Sequence, residues 1–295
     1  MKIALATCAE LPHLDGDDEP LLEALTARGA ELCHPVWDAG DAPFVDAELT
    51  VIRSTWDYTL KHQAFVAWAE RVDDATGGRL ANRASVVRWN SHKGYLLELQ
   101  RAGVAIVPTR LLPAGSAVEL ERLARELHWQ RGLVVKPAVS AGSRDSFRLA
   151  PEEIGRAHEQ VAALLATRDL LVQPFVPGIA SGEMSLMFFL QHGALRFSHA
   201  VNKTPATGDF RSQPEFRARI ERVDPPEAWR EAAAAALLTV QERLLYARVD
   251  LVAGDDSAPW LMELELIEPC LYLCWRRESA AMFAEAILES AARVS

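Results

Sequence analysis

No apolar run in this sequence is long enough to span a bilayer, and the stretch Ala232–Val240 is both too short and too rich in alanine. No membrane partner is expected. Positive charge is also in deficit: 31 Lys and Arg stand against 41 Asp and Glu, a formal net charge of −10 at pH 7. That balance argues against a nucleic acid held through its phosphates. It does not exclude a nucleotide, because the local field and any bound cation outweigh the global sum. Cysteine is scarce. Cys8, Cys33, Cys270 and Cys274 match no zinc spacing, and the eight histidines do not cluster with them. Reduced, mostly buried thiols in a cytoplasmic protein are the expectation. The Walker sequence and the Gly-x-Gly-x-x-Gly fingerprint are both missing, which excludes a P-loop and disfavours a NAD-dependent enzyme. Internal repeats are absent too.

What is present is an ordinary globular composition, with 49% hydrophobic and 24% charged residues over 295 positions. That length implies two or three domains. The N-terminal Met-Lys-Ile-Ala-Leu-Ala lacks a long apolar core and a cleavage pattern, so it reads as a first strand, not a signal peptide. A helix with Pro20 in its first turn runs to Arg28 and stops at Gly29. Strands follow near Leu32–Trp37 and Leu49–Ile52, which together suggest a small parallel α/β unit. Further on, the pattern predicts a helix from His92 to Gln100 capped by Ser91, and strands at Val104–Val107, Leu133–Lys136, Ser146–Leu149 and Leu170–Val176. Helices are predicted over Ala117–His128 and Pro151–Ala166. A hairpin pairs Ser185–Gln191 with Leu195–Val201, and a polar stretch, Asn202–Ile220, shows little periodicity. A long helix Pro226–Leu245, strands Ala247–Ala253 and Trp260–Leu266, and a final helix Ser279–Arg293 complete the chain. Three units are implied: 1–85, 86–176 and 177–295.

Strand alternation singles out three acids. Asp250 lies between Val249 and Leu251, which point the other way, and Glu263 and Glu265 are two apart and share a face. Neighbouring carboxylates repel unless cations neutralise them, and carboxylate oxygens suit Mg²⁺. By alternation alone they fit a solvated strand face equally well. Lys136 ends an apolar strand and precedes the small-residue loop Ser140-Ala-Gly-Ser143, where loop amides suit a phosphate. Lys93 lies in Trp89-Asn-Ser-His-Lys-Gly94. Taken singly, each lysine reads as a solvated side chain. His192 and His199 have no partner acid or serine in a triad pattern, and no base is placed to activate Cys270 or Cys274.

The combination says more than its parts. Lys93, Lys136-Pro137, Val172-Gln-Pro-Phe175, Gly182-Glu183, Gly208-Asp-Phe-Arg211, Asp250 and Glu263-Leu-Glu265 through Pro269 resemble, in order and spacing, the ATP-grasp superfamily over essentially the whole chain. The likeness is nearest to the ligases that include glutathione synthetase and the RimK-type enzymes. It implies an α/β protein with a Rossmann-like N-terminal domain and two α+β subdomains enclosing ATP. It also implies roles. Lys93 and Lys136 would contact the ATP phosphates, and the loop bearing Ser140, Gly142 and Ser143 would close over them. Gln173, Phe175 and Val176 would form the hinge that reads adenine, with Glu183 near the ribose. Lys203 and Arg211 would stabilise charge on the transferred phosphoryl group. Asp250, Glu263 and Glu265 would hold magnesium, with manganese as the alternative ion. Two departures stand out: Glu265 replaces the usual asparagine, and Pro174 stands where an acid is frequent.

Arg53-Ser-Thr-Trp-Asp-Tyr58, Val87-Arg-Trp-Asn-Ser-His-Lys93 and Leu264-Glu-Leu-Ile-Glu-Pro269 further resemble the D-cycloserine synthetase group, which cyclises O-ureido-D-serine. That likeness implies a small amino-acid-like substrate met by Arg53, Ser54, Trp56, Asp57 and Tyr58. Arg53, with its planar fork, would take the carboxylate. The expected function is an ATP-dependent ligase that activates a carboxylate through an acyl phosphate and joins or cyclises it with an amine. A nucleotide-binding regulator without ligase activity is the other class considered. Dimers are common in the superfamily, and no interface is legible in the sequence.

Overall fold

The computed structural model describes residues 1–294 and contains three sheets. The first is parallel, with strands β1 (Lys2–Thr7), β2 (Glu31–Cys33), β3 (Leu49–Ser54) and β4 (Leu80–Ala81) in the order β2-β1-β3-β4. Helices α1 (Glu19–Ala27), α2 (Ala42–Val45) and α3 (His62–Thr76) make its crossovers. β1 and β3 are buried on both faces, as parallel strands under helices must be. The predicted strand at 32–37 stops at Cys33. Proline 35 has no N–H to donate, and pairing resumes only as a bridge between Thr7 and Val36. Phe65 and Trp68 of α3 pack with Trp37 and Phe44 in one aromatic core.

Two short helices follow, α4 (Ala84–Asn90) and α5 (Tyr95–Arg101). The predicted helix start at Ser91 is displaced: Ser91 caps the end of α4, and α5 begins at Tyr95. Residues 91–94 form a corner instead, because Lys93 N–H donates to Ala138 O (2.8 Å) and Gly94 N–H to His92 Nδ1 (3.1 Å). Val104–Val107 is not a strand of any sheet. Val107 N–H and Ala105 O flank Leu261 in a single parallel bridge, and Pro108 ends the pairing.

The middle sheet is antiparallel, with β5 (Arg110–Leu112), β6 (Leu133–Pro137), β7 (Phe147–Leu149) and β8 (Leu170–Pro174) in the order β5-β8-β6-β7. Helices α6 (Leu120–Glu126) and α7 (His158–Leu165) cover one face. The predicted helix from Pro151 is 3₁₀ as far as Ala157. The third sheet carries β9 (Glu183–Gln191), β10 (Ala194–Thr204), β11 (Arg219–Val223), β12 (Tyr246–Ala253) and β13 (Pro259–Glu265) in the order β11-β10-β9-β12-β13. β11 lies at the end of the stretch that shows no periodicity in sequence, since its exposed residues are Arg219 and Arg222, which do not alternate. Helix α8 (Glu227–Leu238) stops seven residues before Leu245, where Thr239 turns its hydroxyl back to Ala236 O. Helix α9 (Arg277–Val294) packs across β9 and α1.

Side chains from the first 95 residues stitch the third sheet to the first. Asn82, in a left-handed conformation that asparagine tolerates, donates to Tyr246 O and Leu266 O and accepts from Leu245 N–H. Asn90 accepts from Leu266 N–H and donates to Leu264 O, while the Tyr95 hydroxyl accepts from Leu264 N–H. The Tyr246 hydroxyl lies 3.0 and 2.5 Å from the carbonyls of Ile52 and Ile267. Gly182, at φ +112°, is required before β9 because a Cβ there would run into the Asn202 amide.

Candidate active site

A cavity of about 580 Å³ opens between the middle and third sheets and reaches the first. Its floor is set by strand register. Arg248 lies opposite Glu265 and Asp250 opposite Glu263 across β12 and β13, with a bulge after Asp250. On the next pairs inward, Asp250 faces Ser185, and Glu183 faces Lys203. Period-two alternation therefore turns a row of charges into the cavity while Val249, Leu251 and Leu264 enter the core.

The charges are matched one to another. Asp250 accepts from Ser185 Oγ (2.6 Å), Arg248 Nη2 (2.8 Å) and Lys203 Nζ (3.4 Å). Burial alone pushes its carboxyl up, but Arg248 and Lys203 outweigh that and hold it well below the usual range. Lys203 also reaches Glu183 (2.7 Å), which accepts from Ser212 Oγ (2.5 Å). Burial works against the Lys203 ammonium, yet Asp250 and Glu183 hold its proton far more tightly than usual. Glu183 itself is pushed up, by burial first. Lys93 Nζ bridges Glu263 Oε1 (2.8 Å) and Ser140 O (2.6 Å). Lys93 and Lys136 outweigh burial at Glu263 and lower its pKa, whereas Glu265, buried beside two other acids and sharing Arg248, rises to about 7. Lys136 has no ion-pair partner among the described residues, and burial lowers its pKa.

The loop after β6 brings Ser140, Gly142 and Ser143 to the rim, where Ser143 Oγ donates to Gln213 Oε1 (2.9 Å) of the 208–216 loop. Arg211, on that second loop, reaches the cavity but is held on its own turn, paired with Asp209 (2.8 Å) and stacked 3.6 Å over Phe216. Gln173, Phe175 and Val176 line the opposite wall. Gln173 is tied to Thr109 Oγ1, and Arg148 stacks 3.6 Å over Phe175. Phe175 N–H is spent on Gly132 O (2.9 Å), which leaves the Val176 N–H unspent among the described residues.

The expected substrate cluster divides. Trp56 and Tyr58 line the cavity, with Trp56 Nε1 donating to Glu268 O (3.0 Å). Arg53, Ser54 and Asp57 lie behind that wall. Arg53 is committed to Asp18 and to Pro269 O, Ser54 Oγ accepts from Asp15 N–H, and Asp57 accepts from Trp37 Nε1 and Lys61. The expectation that Arg53 is a fork for the substrate carboxylate, and that Ser54 and Asp57 meet the substrate, is therefore corrected. Arg53 is held by Asp18, 35 residues away, and Asp57 by Trp37, 20 residues away, together with the nearby Lys61.

Arg248, Glu268 and Tyr272, none of them among the site residues expected from the sequence, also line the cavity. For Arg248 the signal was present: it stands two residues before Asp250, on the same face. Glu268 is pushed up to about 8 by burial and by Glu265. Tyr272 holds a left-handed backbone at φ 52°, and Arg248 lies 5.8 Å from its ring centre.

The oxygen-rich donor set suits a hard divalent cation, and Glu263 and Glu265, whose side chains are partly exposed to the cavity, could hold one. Asp250 is fully engaged beneath them. Among the described residues no three His, Cys, Asp or Glu side chains are gathered closely enough to hold a metal; the cavity acids are paired with Lys93, Lys203 and Arg248. No helix of the described residues is long and apolar enough to cross a membrane, and the four cysteines are free thiols.

Residues 3–82 match the family model described as the N-terminal domain of the D-cycloserine synthetase DcsG. The chain is 35% identical to the cycloserine biosynthesis protein DcsG of Streptomyces lavendulae, over 97% of this chain and 98% of that one. The crystal structure of D-cycloserine synthetase DcsG superposes with a TM-score of 0.85 at 32% identity, covering 100% of both chains. D-alanine–D-alanine ligase of Bacillus anthracis shares the fold, with a TM-score of 0.70 at 14% identity over 100% of this chain and 98% of that one. These matches favour an enzyme over a non-catalytic nucleotide sensor. The chain belongs to the D-cycloserine synthetase family of ATP-grasp proteins and is an ATP-dependent ligase.

Proposed function

We propose that this enzyme activates the carboxylate of a small amino-acid-like substrate with Mg-ATP and closes it on a nitrogen of the same molecule, as in the conversion of O-ureido-D-serine to a cycloserine-type ring. One observation carries this reading. Lys93 from the corner at 91–94 and Lys136 from the middle sheet meet the acids of the third sheet in one cavity whose far wall is Trp56 and Tyr58. A polyphosphate and a small zwitterion can thus lie end to end.

The substrate carboxylate oxygen attacks the γ-phosphorus, giving an acyl phosphate and ADP. The oxygen-bound nitrogen then attacks the acyl carbon, loses a proton, and phosphate departs; the carbamoyl group on that nitrogen leaves on hydrolysis by one water, as carbon dioxide and ammonia. A divalent cation at Glu263 and Glu265 would supply charge neutralisation between phosphate oxygens. Lys136, Lys93 and Arg211 supply positive charge along the transfer path, and catalysis rests on positioning without a protein nucleophile. The loops joined by Ser143 and Gln213 cover the cavity and exclude water, which would otherwise hydrolyse the acyl phosphate.

The test is phosphate release from ATP against a panel of amino acids and ureido-amino acids, supplied singly and in pairs. Release with a single compound and no added amine, together with a cyclic product by mass spectrometry, supports the reading. Release only with pairs overturns cyclisation, and release with no carboxylate overturns the substrate class.

A further inference from the structure

The acids along the cavity floor differ in how firmly their cations are held. Asp250 and Glu265 share Arg248, a register partner fixed by strand pairing, whose Nη1 also donates to Cys270 O (3.1 Å). Asp250 is further bound by Ser185 and the deeply buried Lys203. Separating these groups would disturb the sheet. Glu263 is different. Its cation, Lys93, comes from the corner between α4 and α5 on a flexible four-carbon stem, and the Glu263 side chain is 23% exposed to the cavity. The same ammonium donates to Ser140 O, at the start of the small-residue loop over the cavity. Lys136, unpaired among the described residues, stands close enough to influence Glu263 and is a ready first contact for an incoming anion.

We propose that Lys93 is a removable cap on Glu263: it occupies the carboxylate oxygen a divalent cation needs, and the anionic oxygens of a polyphosphate draw it away. This rests on the reading of the cavity as a site for a metal and a nucleotide, and it goes further by making their binding depend on one ion pair. Lys93 exchanges a carboxylate for phosphate oxygen, and Glu263 exchanges an ammonium for the metal, so charge pairing is conserved while both ligands enter. The coupling is reciprocal: whatever factor the nucleotide adds to metal affinity, the metal adds to nucleotide affinity.

The experiment uses the full chain without nucleotide and titrates it with Mn²⁺, following free Mn²⁺ by electron paramagnetic resonance. Removing a cation usually weakens nothing but an anion site. Here Lys93→Gln, with Lys93→Met as a second variant, should bind Mn²⁺ about tenfold more tightly than the wild type. The double variant Lys93→Gln/Glu263→Gln should lose that gain. Unchanged or weaker Mn²⁺ binding in folded Lys93→Gln and Lys93→Met overturns the proposal. A non-hydrolysable ATP analogue separates this failure from failure of the underlying reading. If Glu263→Gln leaves Mn²⁺ binding to the analogue complex intact, Glu263 is not a metal ligand and the cap proposal falls with the metal assignment. If Glu263→Gln abolishes it while the Lys93 variants show no gain, the cap alone is overturned.

Discussion

Arg53 and Asp18 form an ion pair of 2.8 Å in which each side chain is only 2% exposed. Arg53 also caps Pro269 O and lies 5.8 Å from the ring centres of Tyr246 and Phe283. It therefore acts as an internal tie between the first sheet and the segment after β13, and it does not face the substrate. Removing one partner of a buried pair leaves an uncompensated charge. Arg53→Leu should lower stability by about 3 kcal/mol, and Arg53→Leu/Asp18→Leu should recover much of it. Denaturant unfolding of the two variants checks this. A stable Arg53→Leu with a raised KM for the amino-acid substrate would instead restore the fork role.

Glu263→Gln should reduce kcat at least about a hundredfold, the scale on which a single charge-stabilising group acts, while the melting temperature stays near that of the wild type. Circular dichroism and phosphate release measure the two halves separately. Normal turnover would remove Glu263 from the metal assignment.

Trp56 holds the Glu268 carbonyl through its indole N–H and also forms the wall on which the small substrate would rest. Trp56→Phe keeps the ring and loses one hydrogen bond. KM for the amino-acid substrate should rise about fivefold with KM for ATP unchanged. Equal rises in both constants would show a general disturbance of the cavity.

Glu268 holds its proton up to about pH 8 in the folded protein, because burial disfavours its charge and Glu265 adds to it. In the unfolded chain the same group ionises near its ordinary value of 4.5. The folded state thus binds more protons between these limits, and the stability contributed by this group is complete below the lower limit and is lost as pH rises through the upper one. Glu268→Gln should match the wild type at pH 5 and melt about 3 °C higher at pH 8.5 in metal-free buffer. Parallel melting curves across that range would contradict the assignment.

Much of the site was legible because it is written locally. Period-two alternation alone sets Asp250 against its apolar neighbours and puts Glu263 with Glu265 on one face, and the structure adds that the two strands are register partners, which turns all three acids to the same cavity. Lys136 sits at the strand end where the pattern predicts it. What could not be read depends on contacts distant along the chain. Arg53 looks available in sequence because Asp18 is 35 positions away, and Asp57 looks available because Trp37 and Lys61 close on it only after the 3₁₀ turn at Trp56–Leu60. Helix ends failed for a related reason: Ser91 has the chemistry of an N-cap, but Lys93 N–H is drawn to Ala138 O and the chain turns a corner instead. Arg248 does not stand out in sequence, because its pairing with Glu265 depends on which strand lies beside it.

Asn82, Asn90 and Tyr95, which bind the segment 264–266 from the end of the first sheet and the two short helices after it, have a consequence for protein engineering. Residues 3–82 resemble a self-standing cassette in their family match, yet the segment they shape belongs to the far end of the chain. Grafting that cassette onto another ATP-grasp body would carry over Trp56 and Tyr58 but leave Asn82 without its cognate carbonyls. A transplant that moves substrate choice must therefore bring residues 245–246 and 264–272 with it.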